Sequence, residues 1–313
     1  MLFRKLNGIK RSPLKSENVE FSYSDSAVLS GVSLKLKKGE ILAVIGKSGS
    51  GKSTFLKLAS GVIGKGYSGK ISIFGMPKFL KKDKIGFVPQ DDAFIPDLSL
   101  EDNIRILGLN FGVSERVALE NARNLMKQLM LDESLKKKPG ELSGGQRVRL
   151  NIILSLLHDP DILIMDEPFT GLDYKNRRLL WHFLNSMQKR GKSIVLTSHL
   201  LSEIQENVNR IVILKDGKVF FSGDLEKLKR KLSIQYIFEI RYGRISRENY
   251  HKLRKFCILK DVKVLDYYDK YMMFGIGDET LRSQIVNFFK KINVTLVEVG
   301  FREPNLDEIF MSP

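Results

Sequence analysis

At 313 residues the chain is long enough for two domains and a substantial core. Its 42% hydrophobic and 28% charged residues are those of an ordinary soluble protein; no apolar run approaches the ~18 residues that cross a bilayer, and MLFRKLNGIKRSPLK lacks the apolar stretch of a secretory signal, so a cytosolic chain is expected. The single cysteine, Cys257, excludes an internal disulfide, while a formal charge of +16 leaves open nucleic acid, an anionic membrane face, or a merely solvated surface of scattered lysines.

In chain order, residues 1–15 read as a basic arm, and from Asn18 to about Gly223 strand-like and helical segments alternate, the pattern of an α/β domain on a largely parallel sheet. The apolar run Glu40 to Ile45 predicts a strand and Phe55 to Ala59 a helix. Between them lies GKSGSGKST: Gly46, Lys47, Ser48, Gly49, Ser50, Gly51, Lys52, Ser53 and Thr54. Any flexible loop can be rich in glycine and serine, but Gly46, Gly51, Lys52 and Ser53 fit G-x-x-x-x-G-K-[ST], in which backbone N–H groups wrap nucleotide phosphates. The strand before it and the helix after it are the setting that motif requires, because the helix start adds free N–H groups and a positive dipole end.

Further along, Ile162 to Met165, Ser193 to Leu196 and Ile211 to Leu214 read as buried strands. Asp166 and Glu167 follow the first of these at once. Two carboxylates at a sheet edge near the phosphates suit a magnesium site, Asp166 acting with Ser53 on the metal and Glu167 polarising the water that attacks the γ-phosphate. A helix over Glu226 to Leu232 then leads to a region of different pattern. Alternation at Ile234, Tyr236, Phe238 and Ile240 predicts a half-buried strand, followed by a helix near Glu248 to Cys257, strands over Val262 to Tyr267 and Tyr271 to Ile276 joined at Asp269-Lys270, a helix carrying Leu281, Ile285, Phe288 and Ile292, a strand from Thr295 to Val299, and a last helix over Asn305 to Met311. The order βαββαβ is that of a small ferredoxin-like sandwich.

The run Leu142-Ser143-Gly144-Gly145-Gln146 resembles the signature motif of the ATP-binding-cassette (ABC) ATPases, and it stands in order between the phosphate loop and ILIMDEP at Ile162 to Pro168. The resemblance implies an α/β P-loop NTPase domain with a helical signature subdomain over residues 16–224, with ATP and magnesium as cofactors, and leaves residues 225–313 as an α+β accessory domain. It implies that Tyr23, in VEFSYS, stacks on adenine; that Gln90, in FVPQ, reaches the metal and the attacking water; that Asp173, in TGLD, lies in the loop crossing a dimer interface; and that His199, in LTSH, contacts the γ-phosphate. Ser143, Gly144 and Gly145 open a helix and present N–H groups to an anion, which in this family is the γ-phosphate held by a second subunit. The expected assembly is a head-to-tail homo- or heterodimer on a transmembrane permease, at the cytoplasmic membrane face, with no nucleic acid.

The ending Phe301 to Phe310 and the stretch SGGQRVRLNIILSLLHDPDILIMDEP are similar to ATPase subunits of exporters whose membrane subunits are separate chains, although that group more often has asparagine and alanine inside the phosphate loop. Asp91 to Asn103 is then the docking surface for the membrane subunit, with Phe94, Ile95, Leu98 and Leu100 either in that surface or in the local core. The alternative is a soluble ABC ATPase acting on DNA or the ribosome, which the charge suits but which the roughly fifty residues between Gln90 and the signature disfavour, being too few for a long coiled coil.

Overall fold

The structure, a computed structural model, describes residues 11–24, 26–268 and 270–311. Residues 1–10 of the basic arm and Asp269 of the expected turn therefore lie outside the described residues. The chain divides into two compact units: residues up to 200 with 207–222, and 201–206 with 223 onward.

The first unit runs β1 (Leu14–Tyr23), β2 (Ser26–Lys35), β3 (Ile41–Ile45), α1 (Lys52–Ser60), β4 (Tyr67–Ile73), β5 (Met76–Pro77), β6 (Ile85–Val88), α2 (Leu100–Asn110), α3 (Glu115–Gln128), α4 (Gly144–Ser155), β7 (Ile162–Met165), α5 (Tyr174–Lys189), β8 (Ser193–Thr197), α6 (Leu201–Asn207), whose first six residues group with the second unit, β9 (Arg210–Lys215) and β10 (Lys218–Gly223). Six strands form one sheet in the order β10-β9-β3-β8-β7-β6, parallel from β9 through β6. Its inner strands β3, β7 and β8 are buried at every position, which is why they read as continuous apolar runs.

A second, antiparallel sheet, β2-β1-β4-β5, was not separated from the parallel one by the alternation along the sequence. Its strands are covered on one face only, and β1 shifts register near Asn18, whose φ of 47° breaks the two-residue period. The core of the unit lies between the two sheets: Leu14, Val19, Val32 and Ile73 from the antiparallel sheet meet Phe55 and Leu58 of α1 and Leu42 and Val44 of β3. Helices α2, α3 and α4 pack on one another as a helical part inserted between β6 and β7.

The second unit continues with α7 (Leu225–Lys231), β11 (Tyr236–Tyr242), α8 (Arg247–Leu259), β12 (Lys263–Tyr268), β13 (Tyr271–Ile276), α9 (Thr280–Lys291), β14 (Leu296–Arg302) and α10 (Leu306–Met311). The sheet order β12-β13-β11-β14, antiparallel throughout, is the ferredoxin-like arrangement that the βαββαβ order implies. Phe238, Ile240, Leu253, Phe274, Ile285 and Phe289 fill the layer under the helices, with Cys257, whose thiol burial pushes up to about 12. The expected half-buried β11 holds where Glu239 is partly and Arg241 largely exposed, but at its start Ile237 is as fully buried as Phe238, because Ile234 and Leu265 pack against it. Ile234 itself precedes the strand and receives a carbonyl from α7, its N–H donating to Lys229 O.

Candidate nucleotide site

The parallel register brings the predicted residues to one edge. Val88 pairs with Met165, Met165 with Leu196, and Leu196 with Ala43, so the segments that follow these strands all emerge at the carboxyl ends of the sheet. That edge is where open α/β sheets bind ligands. It receives Gly46 to Ser53 after β3, Gln90 after β6, Asp166 and Glu167 after β7, and His199 after β8.

The loop is shaped by its glycines. A Cβ on Gly46 would stand 2.3 Å from Leu214 O, and on Gly51, at φ 96°, 2.9 Å from Val28 O, so no other residue fits without moving backbone. The Lys52 side chain folds back across the loop and donates to Gly46 O at 2.8 Å and Lys47 O at 3.2 Å. Burial pushes its amine down, and the carboxylates of Glu167 and Asp166 pull it part of the way back up. Ser50 Oγ is buried with no hydrogen-bond partner among the described residues. Lys47, Ser48 and Gly49 form the exposed crest of the loop, and Thr54 is half-buried in α1.

Ser53 Oγ donates to Asp166 Oδ1 at 3.1 Å, joining the start of α1 to the end of β7. Thr197, the last residue of β8, donates to the same Oδ1 at 2.8 Å and accepts the N–H of Glu167 at 2.8 Å. Glu167 is held with a φ of 51°, sparsely populated for a non-glycine residue. His199 Nε2 lies 3.1 Å from Glu167 Oε1, with the imidazole largely exposed and the carboxylate nearly buried. Burial raises the Glu167 carboxyl above its ordinary value, against the charges of His199 and Lys52. Oxygen donors from Ser53 and Asp166 suit magnesium, a hard cation. Gln90 and Tyr23 are both exposed at this edge, Tyr23 closing β1 opposite Ser26, two residues before the Val28 that abuts Gly51.

A second constellation forms at α4. Ser143 caps the helix, accepting from Gln146 N–H at 3.3 Å, while its own N–H donates to Gln146 Oε1 at 2.8 Å. The Gln146 amide also donates to Glu133 at 2.6 Å. Gly144 has open space around it, and Gly145 faces the Asn176 amide, which donates to Asp173, the cap of α5. Arg149, on the same helix, donates to the carbonyls of Leu129 and Met130; burial lowers its pKa while the Asp173 charge raises it. The sequence-predicted residues therefore fall into two groups, the loop with Asp166, Glu167 and His199, and the signature with Asp173.

Between them, Phe94 and Leu100 are buried, Leu98 is half-buried and Ile95 is exposed, so the expected docking segment divides between core and surface. Sequence reading missed Thr197, which ends an ordinary apolar strand, and Asn151, buried in α4 within an apolar helix run.

A family model described as "ABC transporter" matches residues 29–170, and one described as "AAA domain, putative AbiEii toxin, Type IV TA system" matches 137–204. The chain is 28% identical over 303 residues to the linearmycin resistance ATP-binding protein LnrL of Bacillus subtilis, covering 96% of this chain and 97% of that one. It is 35% identical over 216 residues to the Nod factor export ATP-binding protein I of Burkholderia orbicola, covering 68% of this chain and 71% of that one. Among solved structures, the dimeric cassette MJ0796, described as a bacterial ABC transporter cassette, superposes with a TM-score of 0.61 at 29% identity, over 68% of this chain and 98% of that one. With its phosphate loop, paired carboxylates and signature helix in place, the chain belongs to the ABC transporter family as an ATP-binding, ATP-hydrolysing subunit.

Proposed function

We propose that the chain drives an export transporter from the cytoplasmic membrane face, as one half of a head-to-tail dimer that closes on two ATP molecules and opens after hydrolysis. The observation that carries this reading is the junction of Ser53, Asp166, Thr197, Glu167 and His199 at one sheet edge, beside a loop with an orphaned Ser50 hydroxyl. That hydroxyl and the loop N–H groups are donors for phosphate oxygens, and Lys52 adds a cation at the β- and γ-phosphates. Tyr23, exposed at the end of β1, supplies the face on which adenine stacks.

Magnesium, when bound, neutralises charge on the β- and γ-phosphates, and Ser53, Asp166 and Gln90 are the residues that would hold it. Glu167 accepts a proton from the attacking water, for which a carboxyl raised by burial is a better base, and its Oε1, which lies 3.1 Å from His199 Nε2 but makes no hydrogen bond among the described residues, is free to take it. The N–H groups of Gly144 and Gly145 and the Ser143 hydroxyl would meet the γ-phosphate on the second subunit, with Asp173 lining the contact; the Ser143 N–H itself is taken by Gln146 Oε1. Hydrolysis removes that shared contact and the pair opens.

Export is supported by what the relatives' names say of them, Nod factor export and linearmycin resistance. A role on DNA or the ribosome is disfavoured by the insert between β6 and α4, whose helices α2 and α3 have 11 and 14 residues and cannot make a long coiled coil. Tagged Glu167→Gln protein, expressed in its native host and recovered from detergent-solubilised membranes with ATP, tests the reading by mass spectrometry of what co-purifies. A polytopic membrane protein is expected; ribosomal or DNA-bound partners without one would overturn the transporter assignment.

A further inference from the structure

Gln90 is followed by an exposed segment, Asp91 to Ala93, that belongs to no helix or strand, yet its backbone is gripped from within. Asn151 lies two turns into α4, 4% exposed, between Leu150 and Ile152, which are buried as well. Its Oδ1 accepts the Ala93 N–H at 3.0 Å and its Nδ2 donates to Asp91 O at 3.3 Å. One planar amide thus reads both a donor and an acceptor of the segment, a pairing that fixes its direction and its distance from the helix. From the same helix Arg147 Nη1 reaches to 3.7 Å from Asp92 Oδ2. Further on, the buried Asn103 of α2 holds the chain again, accepting from Ile95 N–H at 2.7 Å and donating to the carbonyls of Ile95, Leu98 and Ser99.

We infer that Asn151 is a positioning residue for hydrolysis: it ties the signature helix to the Asp91–Ala93 backbone and thereby sets where the adjoining Gln90 side chain stands. A buried amide in an otherwise apolar stretch of helix has a desolvation cost that core packing alone would avoid, and hydrogen bonds to a defined backbone offset it. The arrangement gives the signature helix a direct hold on the backbone that follows Gln90, and through it an indirect one on the Gln90 side chain. When the amino end of α4 meets the other subunit's nucleotide, any shift of the helix moves Asp91 to Ala93 with it. This inference rests on the reading of Gln90 as the residue that faces the water.

The test is a double-substitution cycle on the full chain, measuring kcat and KM for ATP in the wild type, Asn151→Ala, Gln90→Ala and the combined variant. Asn151→Ala is expected to lower kcat roughly 10- to 100-fold, the scale of a misplacement of about 1 Å, with KM within about twofold of the wild type. In the Gln90→Ala background the same substitution is expected to change kcat by less than about twofold, because its effect runs through Gln90. Penalties that multiply in the combined variant, or a kcat that Asn151→Ala leaves intact, would overturn the inference while leaving the role of Gln90 standing. A Gln90→Ala variant with undiminished kcat would overturn the underlying reading instead. Should the alanine variant not fold, Asn151→Leu, matched to its apolar neighbours, carries the same cycle and the same two outcomes.

Discussion

Thr197 shows how much of the site depends on a residue with no chemistry of its own. It is fully buried, and its one hydroxyl donates to Asp166 and accepts from the Glu167 N–H, so it fixes both carboxylate residues from the neighbouring strand. Thr197→Val keeps the shape but strands that N–H without a partner, which should cost about 1–3 kcal/mol of stability. Lower urea resistance and reduced kcat with nucleotide affinity retained are expected; a valine variant with wild-type turnover would show that Asp166 and Glu167 hold their places unaided. The motif residues were legible because glycine, lysine and acidic spacings carry their own local signal. Thr197 was not, since a β-branched residue ending SIVLT reads as strand, and its role exists only because β8 lies beside β7.

The elements follow the same division. The buried strands of the parallel sheet were readable as apolar runs to within a residue or two, since both their faces are covered. The antiparallel sheet was not, because the shift at Asn18 breaks its period, and the two-residue β5 is too short to have one. In the second unit the βαββαβ order was legible, but the burial of Ile237 on the outer face of β11 was not, as it depends on Ile234 and Leu265 from outside the strand.

Lys78, beyond β5, holds the carboxyl end of α1: its amine donates to Leu58 O and Ile63 O and sits 4.5 Å from the centre of the Tyr67 ring. Burial, helped by the nearby Lys82 charge, lowers this amine from 10.5 to about 8. The folded form therefore gives up its proton before the unfolded chain does, and unfolding takes up a proton between about pH 8 and 10.5. Stability should rise with pH across that window by on the order of 1–2 kcal/mol more in the wild type than in Lys78→Met. Urea titrations of both forms at the two ends of the window check this, and parallel pH profiles would contradict it.

For the whole molecule, no helix among the described residues is long and apolar enough to cross a membrane, and the match to LnrL spans both units. On the proposed reading, transport needs a separate membrane chain and the catalytic site a second ATPase subunit, whose phosphate site the signature group would complete. The surplus of 52 basic over 36 acidic residues predicts that the proposed docking at an anionic membrane face would weaken with salt. On the proposed cycle the γ-phosphate holds the closed pair, so blocking hydrolysis should trap it. The most direct measurement is light scattering of Glu167→Gln with and without ATP, alone and combined with Ser143→Arg. The mass of two chains is expected only with ATP and only while Ser143 is intact; a single-chain mass for Glu167→Gln in saturating ATP would rule out the ATP-held pair.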